Sequence, residues 1–205
     1  MGKNKHKKFL IFGGTGFLGN SLIKLLSKMN AEIILFTRIT SSVNSIKKYK
    51  SNPNVKVIHW NFTEYKLIEQ NILNSDCIIN LCGILYENRN KDFFRIHSEF
   101  PALLGKLSSK NNIESLIHVS ALGVSEFSES KYSRSKAIGE RKLLENFPNG
   151  KIIRPSLLFG KGDNFFGQFS QMASFSPFLP LISRTTKFQP VFVDDVAMAI
   201  INLLE

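Results

Sequence analysis

Tyr132 and Lys136 stand four residues apart in the run YSRSKAIGE. On a helix that spacing puts both side chains on one face, so their polar tips can meet a single ligand. An ammonium about 4 Å from a phenolate would stabilise it by up to ~4 kcal/mol at an effective dielectric near 20. The expected consequence is a tyrosine pKa drawn down from about 10 towards neutrality, which suits general acid/base work. A solvated Tyr and Lys on an exposed helix face is the other reading the spacing allows. Ser120, which follows the apolar run Leu116 to Val119, is the third candidate for the reacting side.

A second group carries different chemistry. Gly13 to Gly19 reads GGTGFLG, after the apolar run Phe9 to Phe12 and before the helix-periodic Leu22, Ile23, Leu25 and Leu26. The glycines thus fall where a buried strand turns into a helix. Gly14, Gly16 and Gly19 satisfy the dinucleotide fingerprint, and Gly13, Gly16 and Gly19 a wider-spaced variant. Small residues there let backbone N–H groups approach a pyrophosphate seated at the positive end of the helix. The contacts expected are Gly13, Thr15, Gly16, Phe17, Leu18 and Gly19. Arg38 closes the next strand, where the adenosine ribose would arrive and where an NAD-selective site usually presents an acid. An arginine there can pair with a 2′-phosphate, so NADP(H) is expected over NAD(H), the alternative being a solvent-facing arginine on a loop. Asn61 and Phe62, after the third strand, are expected to edge the adenine.

These groups need a scaffold that gathers strand ends. Strand-like runs at Phe9 to Phe12, Glu32 to Thr37, Val55 to Trp60, Asp76 to Leu81, Leu116 to Val119 and Lys151 to Ile153 alternate with helical stretches. The helices are expected at Phe17 to Met29, Glu64 to Leu73, Lys91 to Ser109 and Tyr132 to Phe147, with Pro101 kinking or resetting the third. Repeated strand, helix, strand order implies a Rossmann-like doubly wound parallel sheet of the α/β class. Asp163 to Phe178 reads as a helix and a mobile loop near the ligand. Gln189 to Val193 reads as a last strand, before a helix capped by Asp194 or Asp195 and running to Leu204.

The chain has 205 residues, 43% of them hydrophobic, enough for one globular domain with a real core. A basic tail over residues 1–8 followed by one domain over 9–205 is the expected organisation. The net charge of +11 comes largely from lysines spread along the chain, with a local excess at Lys3, Lys5, Lys7 and Lys8. That start reads first as a solvated tail and second as a patch touching acidic lipid or protein. Nucleic-acid binding is disfavoured, for lack of a binding module or aromatic platform. Cys77 and Cys82 read as reduced thiols, and His6, His59, His97 and His118 are scattered, so no metal site is expected. No window has the apolar length of a spanning helix, and a cytoplasmic or peripheral protein is expected.

Taken together, GGTGFLG, the turn Asn80-Leu81-Cys82-Gly83 and Tyr132-Ser133-Arg134-Ser135-Lys136 resemble the extended short-chain dehydrogenase/reductase superfamily. The runs HVSALG (118–123), YSRSKAIGE (132–140), RPSLLFG (154–160) and QPVFVDDVA (189–197) are similar to its atypical branch, which contains the NADPH-binding accessory subunit of mitochondrial respiratory complex I. The resemblance covers nearly the whole chain. It implies a bacterial relative that binds NADP(H), with Leu81, Cys82, Gly83, Tyr132, Lys136 and Pro155 as further cofactor contacts. Related members act in ubiquinone-synthesis assemblies, so a protein partner and peripheral attachment at the inner face of the cell membrane are implied.

The departures bear on activity. Active members add a Ser or Thr that polarises the reacting carbonyl, and Leu122 falls in that slot. Asn61 stands where an Asp is common, and His97 where an Asn is. Extended members also carry a C-terminal substrate domain beyond the segment matching Gln189 to Leu204, so that domain is expected to be largely missing here. A truncation or a partner covering apolar surface, including several of the 18 phenylalanines, would account for it. The expected function is a cofactor-binding structural or assembly protein. The alternative is an active NAD(P)-dependent oxidoreductase, epimerase or dehydratase using Tyr132 and Lys136.

Overall fold

Alternate side chains of Lys7–Phe12 (β1) belong to opposite sides of the fold, because a strand points successive residues to opposite faces. Phe9 and Ile11 join one apolar cluster, Leu10 and Phe12 the other. This strand therefore has to lie in the middle of a sheet covered on both faces. The computed structural model describes residues 7–29, 31–38, 46–47, 49, 51–62, 64–73, 75–163 and 187–204.

Following β1 come α1 (Phe17–Leu26), β2 (Ala31–Arg38), β3 (Val55–Trp60), α2 (Tyr65–Ile72) and β4 (Cys77–Asn80). A short α3 (Asp92–Phe94) runs through a π-helical turn at Arg95–Glu99 into α4 (Phe100–Lys110). Next are β5 (Ser115–Val119), α5 (Lys131–Asn146), β6 (Lys151–Ile153), β7 (Leu158–Phe159), β8 (Val191–Phe192) and α6 (Val193–Asn202). The first six strands form one sheet in the order β3-β2-β1-β4-β5-β6, all pairs parallel. The order reverses between β1 and β4, and such a switch point leaves a crevice at the carboxyl ends of the strands. The expected doubly wound sheet is what forms.

Helices α1 and α6 supply one covering layer through Leu22, Ile23, Leu26, Val196 and Ile200. On the other face Ile68 of α2, Phe100 and Leu104 of α4 and Leu143 of α5 pack against the sheet. There Phe12, Phe36, Trp60, Phe62 and Phe100 form a continuous aromatic stack with ring centroids 4.6–5.9 Å apart. Two lysines hold the far end of α6: Lys7 Nζ donates to Leu204 O at 2.9 Å, and Lys151 Nζ donates to Leu203 O. Cations at a helix C-terminus also complement its dipole.

Several local expectations change. β1 starts at Lys7, so two of the four early lysines belong to the sheet, while Lys3 and Lys5 lie outside the described residues. Pro101 resets its helix, as expected, but through a π-turn that comes just before it. With no N–H on Pro101 to bond the His97 carbonyl, the chain widens, and Phe100 N–H bonds Arg95 O five residues back. Neither Asp194 nor Asp195 caps α6; both sit in its first turn, where their charge favours the helix dipole. Residues 164–178 of the expected helix and loop lie outside the described residues. No helix among the described residues is long and apolar enough to cross a membrane.

Candidate functional site

Gly13 turns the chain out of β1 with φ at +77°, a left-handed conformation that side chains resist. Space forbids a side chain there as well, since a Cβ would stand 2.9–3.0 Å from the backbone of Leu81 and Cys82 at the end of β4. At Gly19 a Cβ would overlap the Gly14 backbone, so α1 can approach the loop only because both residues are bare. The N-terminus of α1 has no side-chain cap and no acid in its first turn. Its backbone donors and positive dipole end are therefore left for another acceptor. Tyr49 braces the loop from behind, its Oη donating to Gly14 O at 3.3 Å and meeting Asn20 Oδ1.

Above this loop lies a cavity of about 390 Å³, bounded by Gly13, Thr15 and Gly16, by Phe36, Thr37 and Arg38 of β2, by Trp60 and Phe62, by Leu81 to Ile84, and by Ile96. Its volume is within the range of small-molecule sites. Of the residues singled out from sequence, Gly13, Thr15, Gly16, Arg38, Phe62, Leu81, Cys82 and Gly83 line this one cavity. Other candidates are not in the lining. Phe17, Leu18 and Gly19 instead form the first turn of α1, with Leu18 in the core. Asn61 is exposed and its backbone N–H bonds Glu64 Oε2 at 2.7 Å. Sequence reading missed Phe36, Thr37, Trp60, Ile84 and Ile96. The rule that ligands meet the carboxyl ends of strands could have found Thr37 and Trp60. Ile96 needed the π-turn, and Tyr49 left no signal.

Arg38 is exposed at the end of β2, and none of the ion pairs found among the described residues uses it. Cys82 lies between two cations: Arg38 and Lys136 both pull its pKa down, but burial prevails and lifts it to about 12. The thiol is protonated and chemically quiet. Both cysteines are free thiols, and no group of metal-binding side chains occurs among the described residues.

None of Tyr132, Lys136 and Ser120 is in the cavity lining: Lys136 is bonded to Val119, the residue before Ser120, while Tyr132, one turn earlier on α5, is half-buried with its ring against His97. Lys136 is 4% exposed, and its Nζ donates to Val119 O at 3.1 Å. A Cβ on Gly83 would be 3.4 Å from that nitrogen, so Lys136 lies directly behind the cavity wall. Burial lowers its pKa to about 8. Tyr132 reverses the expected shift: burial pushes its pKa up, and the ammonium is engaged by Val119 rather than lowering the phenol. Ser120 is buried, and its Oγ has no hydrogen-bond partner among the described residues. Leu122 is 62% exposed, its N–H bonded to Pro155 O at 2.9 Å, so no hydroxyl is offered from that slot. Pro155 acts there through its carbonyl and is not in the cavity lining.

Two buried histidines flank the lysine. Asn80 Oδ1 accepts from Cys82 N–H at 3.0 Å, which turns Asn80 Nδ2 towards His118 Nδ1 at 3.1 Å. His118 Nε2 has no hydrogen-bond partner among the described residues. His97 is bonded through both ring nitrogens, to Ile84 N–H and to Ser135 Oγ, each at 3.0 Å. Burial first and Lys136 second lower both pKa values to about 3, so both rings are neutral.

The family model described as "NAD dependent epimerase/dehydratase family" matches residues 9–205. The chain belongs to this family. Similar curated proteins include the NADH dehydrogenase (ubiquinone) 1 alpha subcomplex subunit 9 of Dictyostelium discoideum, 34% identical over 95% of this chain and 54% of that one. The mitochondrial protein of the same name from Mus musculus is 34% identical over 94% and 52%. A ceramide reductase of Caulobacter vibrioides is 24% identical over 93% and 59%. The chain spans about half the length of the curated relatives it matches. Among solved structures, a dTDP-glucose 4,6-dehydratase from Bacillus anthracis in complex with NAD superposes with a TM-score of 0.79 at 22% identity, covering 97% of this chain and 72% of that one. The Bordetella bronchiseptica enzyme WbmH, in complex with NAD+, gives 0.80 at 18%, with the same coverage. These likenesses show the fold, and the family epimerase/dehydratase domain agrees with the extended short-chain dehydrogenase/reductase resemblance carried by the sequence motifs.

Proposed function

We propose that the chain binds NADP(H) at the glycine loop and serves a structural or assembly role in a respiratory or quinone-related complex, peripheral to the inner face of a bacterial cell membrane. Arg38 is the observation that carries the cofactor choice: a guanidinium at the carboxyl end of β2, in the cavity lining, without an acidic partner among the ion pairs described. The residues fit the group. Gly13, Thr15 and Gly16 and the uncapped end of α1 would take the pyrophosphate, Arg38 the 2′-phosphate, and Trp60 and Phe62 the adenine. Leu81 to Gly83 would form the wall towards the nicotinamide ribose, with Tyr132 and Lys136 as ribose and nicotinamide contacts.

The structural role is supported by the hydrophobic Leu122 in the carbonyl-polarising slot and by the names of the 34% identical relatives, which are subunits of a respiratory complex. Bound at a hundredfold excess over its dissociation constant, a cofactor would add about 2.7 kcal/mol to the fold. A second reading, an active oxidoreductase, epimerase or dehydratase, is favoured by the buried Lys136 and the unpartnered Ser120 Oγ on the reacting side. A nicotinamide cofactor supplies hydride transfer when bound. Tyr132 would hold or release the proton at its Oη, and Lys136 would orient it.

Protein drawn from its native source with its partners, and analysed by mass spectrometry for bound nucleotide, tests both readings. NADP(H) together with respiratory or quinone-pathway subunits is the expected result; binding of neither dinucleotide at millimolar concentration would sink both. Arg38→Asp should weaken NADPH by about 10- to 100-fold and spare NADH, as loss of a charge-assisted pair requires. Tyr132→Phe should leave partner association intact under the first reading and abolish turnover under the second.

A further inference from the structure

His97 joins two parts of the molecule that sequence places far apart. Its Nε2 lies 3.0 Å from the N–H of Ile84, in the loop after β4, and its Nδ1 lies 3.0 Å from Ser135 Oγ on α5. A backbone N–H can only donate, so Nε2 carries no proton. The neutral ring then has its proton on Nδ1 and gives it to Ser135 Oγ, whose own hydrogen goes to Tyr132 O at 2.8 Å. The three bonds run in one direction, from Ile84 through His97 and Ser135 to the residue before Ser133. The ring is stacked on Phe93 and meets Tyr132 edge-on, both with centroids 5.3 Å apart. Ser98 Oγ adds a bond to Ser135 O at 2.7 Å. Gly139 accommodates the His97 carbonyl that Pro101 cannot bond, because any Cβ there would overlap it.

We infer that His97 is a positioning residue which, as the neutral Nδ1–H tautomer, locks the Gly83–Ile84 wall of the cavity to the first turns of the Tyr132–Lys136 helix. Its consequence for ligand affinity rests on the proposed nucleotide binding; the lock itself does not. An Asn or Gln side chain carries donor and acceptor on one carbon and cannot reach both partners across a ring's width. A protonated ring would aim a hydrogen at the Ile84 N–H, next to the ammonium of Lys136 on α5 and near His118 on β5. The lock therefore requires the neutral form. The π-turn is what presents the ring: it sets His97 between the loop and α5.

The test combines nitrogen NMR of the imidazoles in the full chain with amide exchange at Ile84 and NADPH titration. His97 should show a protonated Nδ1 and an unprotonated, hydrogen-bonded Nε2, unchanged between pH 8 and 5. His97→Phe keeps an aromatic ring, one atom larger, and removes both nitrogens, so Ile84 exchange should accelerate at least about tenfold and NADPH should bind about tenfold more weakly. A proton on Nε2, a ring titrating near pH 6.5, or a folded His97→Phe protein with Ile84 protection and NADPH affinity within about twofold of the parent would overturn the inference. Should His97→Phe fail to fold, the parent spectrum still decides the tautomer. If the parent binds no NADPH, the proposed function fails, while the ring spectrum and Ile84 exchange still judge the lock.

Discussion

At the glycine-loop end of the cavity the groups offered to a ligand are mainly backbone, and what shapes them is the absence of side chains at Gly13 and Gly19. Around Lys136 the reverse holds: its side chain bonds Val119 O in the interior, and the side chains of His97, Ser98 and Ser135 are hydrogen-bonded to one another and to the α5 backbone. The first end opens to solvent at Arg38, whereas at the second Lys136 and His97 are almost entirely buried. The difference teaches where each is vulnerable. A backbone cradle fails by steric intrusion and loses ligand; a buried polar lattice fails by gaining charge or losing fit, and loses the fold.

Acid should expose that contrast most strongly. His97 and His118 have folded pKa values of about 3, below the usual 6.5, so the unfolded chain binds more protons between those limits. Their contribution is present above pH 6.5 and lost as pH falls towards 3, on the order of 4 kcal/mol apiece. Urea midpoints at pH 7 and pH 4 should fall accordingly, and replacing both histidines by Gln should flatten that slope. An unchanged slope in the double variant would remove the histidines as its cause.

A methyl group placed at each end gives the next largest effect. Gly139→Ala would collide with the His97 carbonyl and should cost about 3 kcal/mol of stability by thermal melting. Gly16→Ala meets only Gly13 O, at 3.3 Å, so it should cost about 1 kcal/mol or less while weakening nucleotide binding severalfold. Equal stability losses at the two sites would erase the distinction.

A buried cation should act in the opposite direction, by less than the Gly139 collision. Lys136 has a folded pKa of about 8 against its usual 10.5, so its charge is disfavoured by folding at neutral pH. Stability should rise as pH climbs from about 8 to 10.5, where the unfolded chain holds the extra proton. Lys136→Met should therefore stabilise the ligand-free protein at pH 7 by about 2 kcal/mol while impairing nucleotide binding. A destabilised variant would show that the bond to Val119 O outweighs the buried charge.

The cradle was legible because its requirements are local. A strand, bare residues at fixed spacing and a helix follow one another within twenty residues, and Arg38 ends the next strand. The second end was legible only in its parts: the four-residue spacing places Tyr132 and Lys136 on one helical face but cannot say how wet that face is. Enclosure settled the matter, raising the tyrosine and occupying the lysine where open water would have allowed the expected pairing. The turn at Asn61 was likewise not legible: its backbone N–H bonds the Glu64 carboxylate at the start of α2.

The sequence by itself determined the alternation of strands and helices, hence the parallel sheet, the crevice at its switch point and the family, because periodicity and glycine spacing encode short-range geometry. Tertiary structure alone decided the protonation of the polar interior and the role of His97. Those depend on which distant groups share a dry space, and on a π-turn created when Pro101 withholds one hydrogen bond.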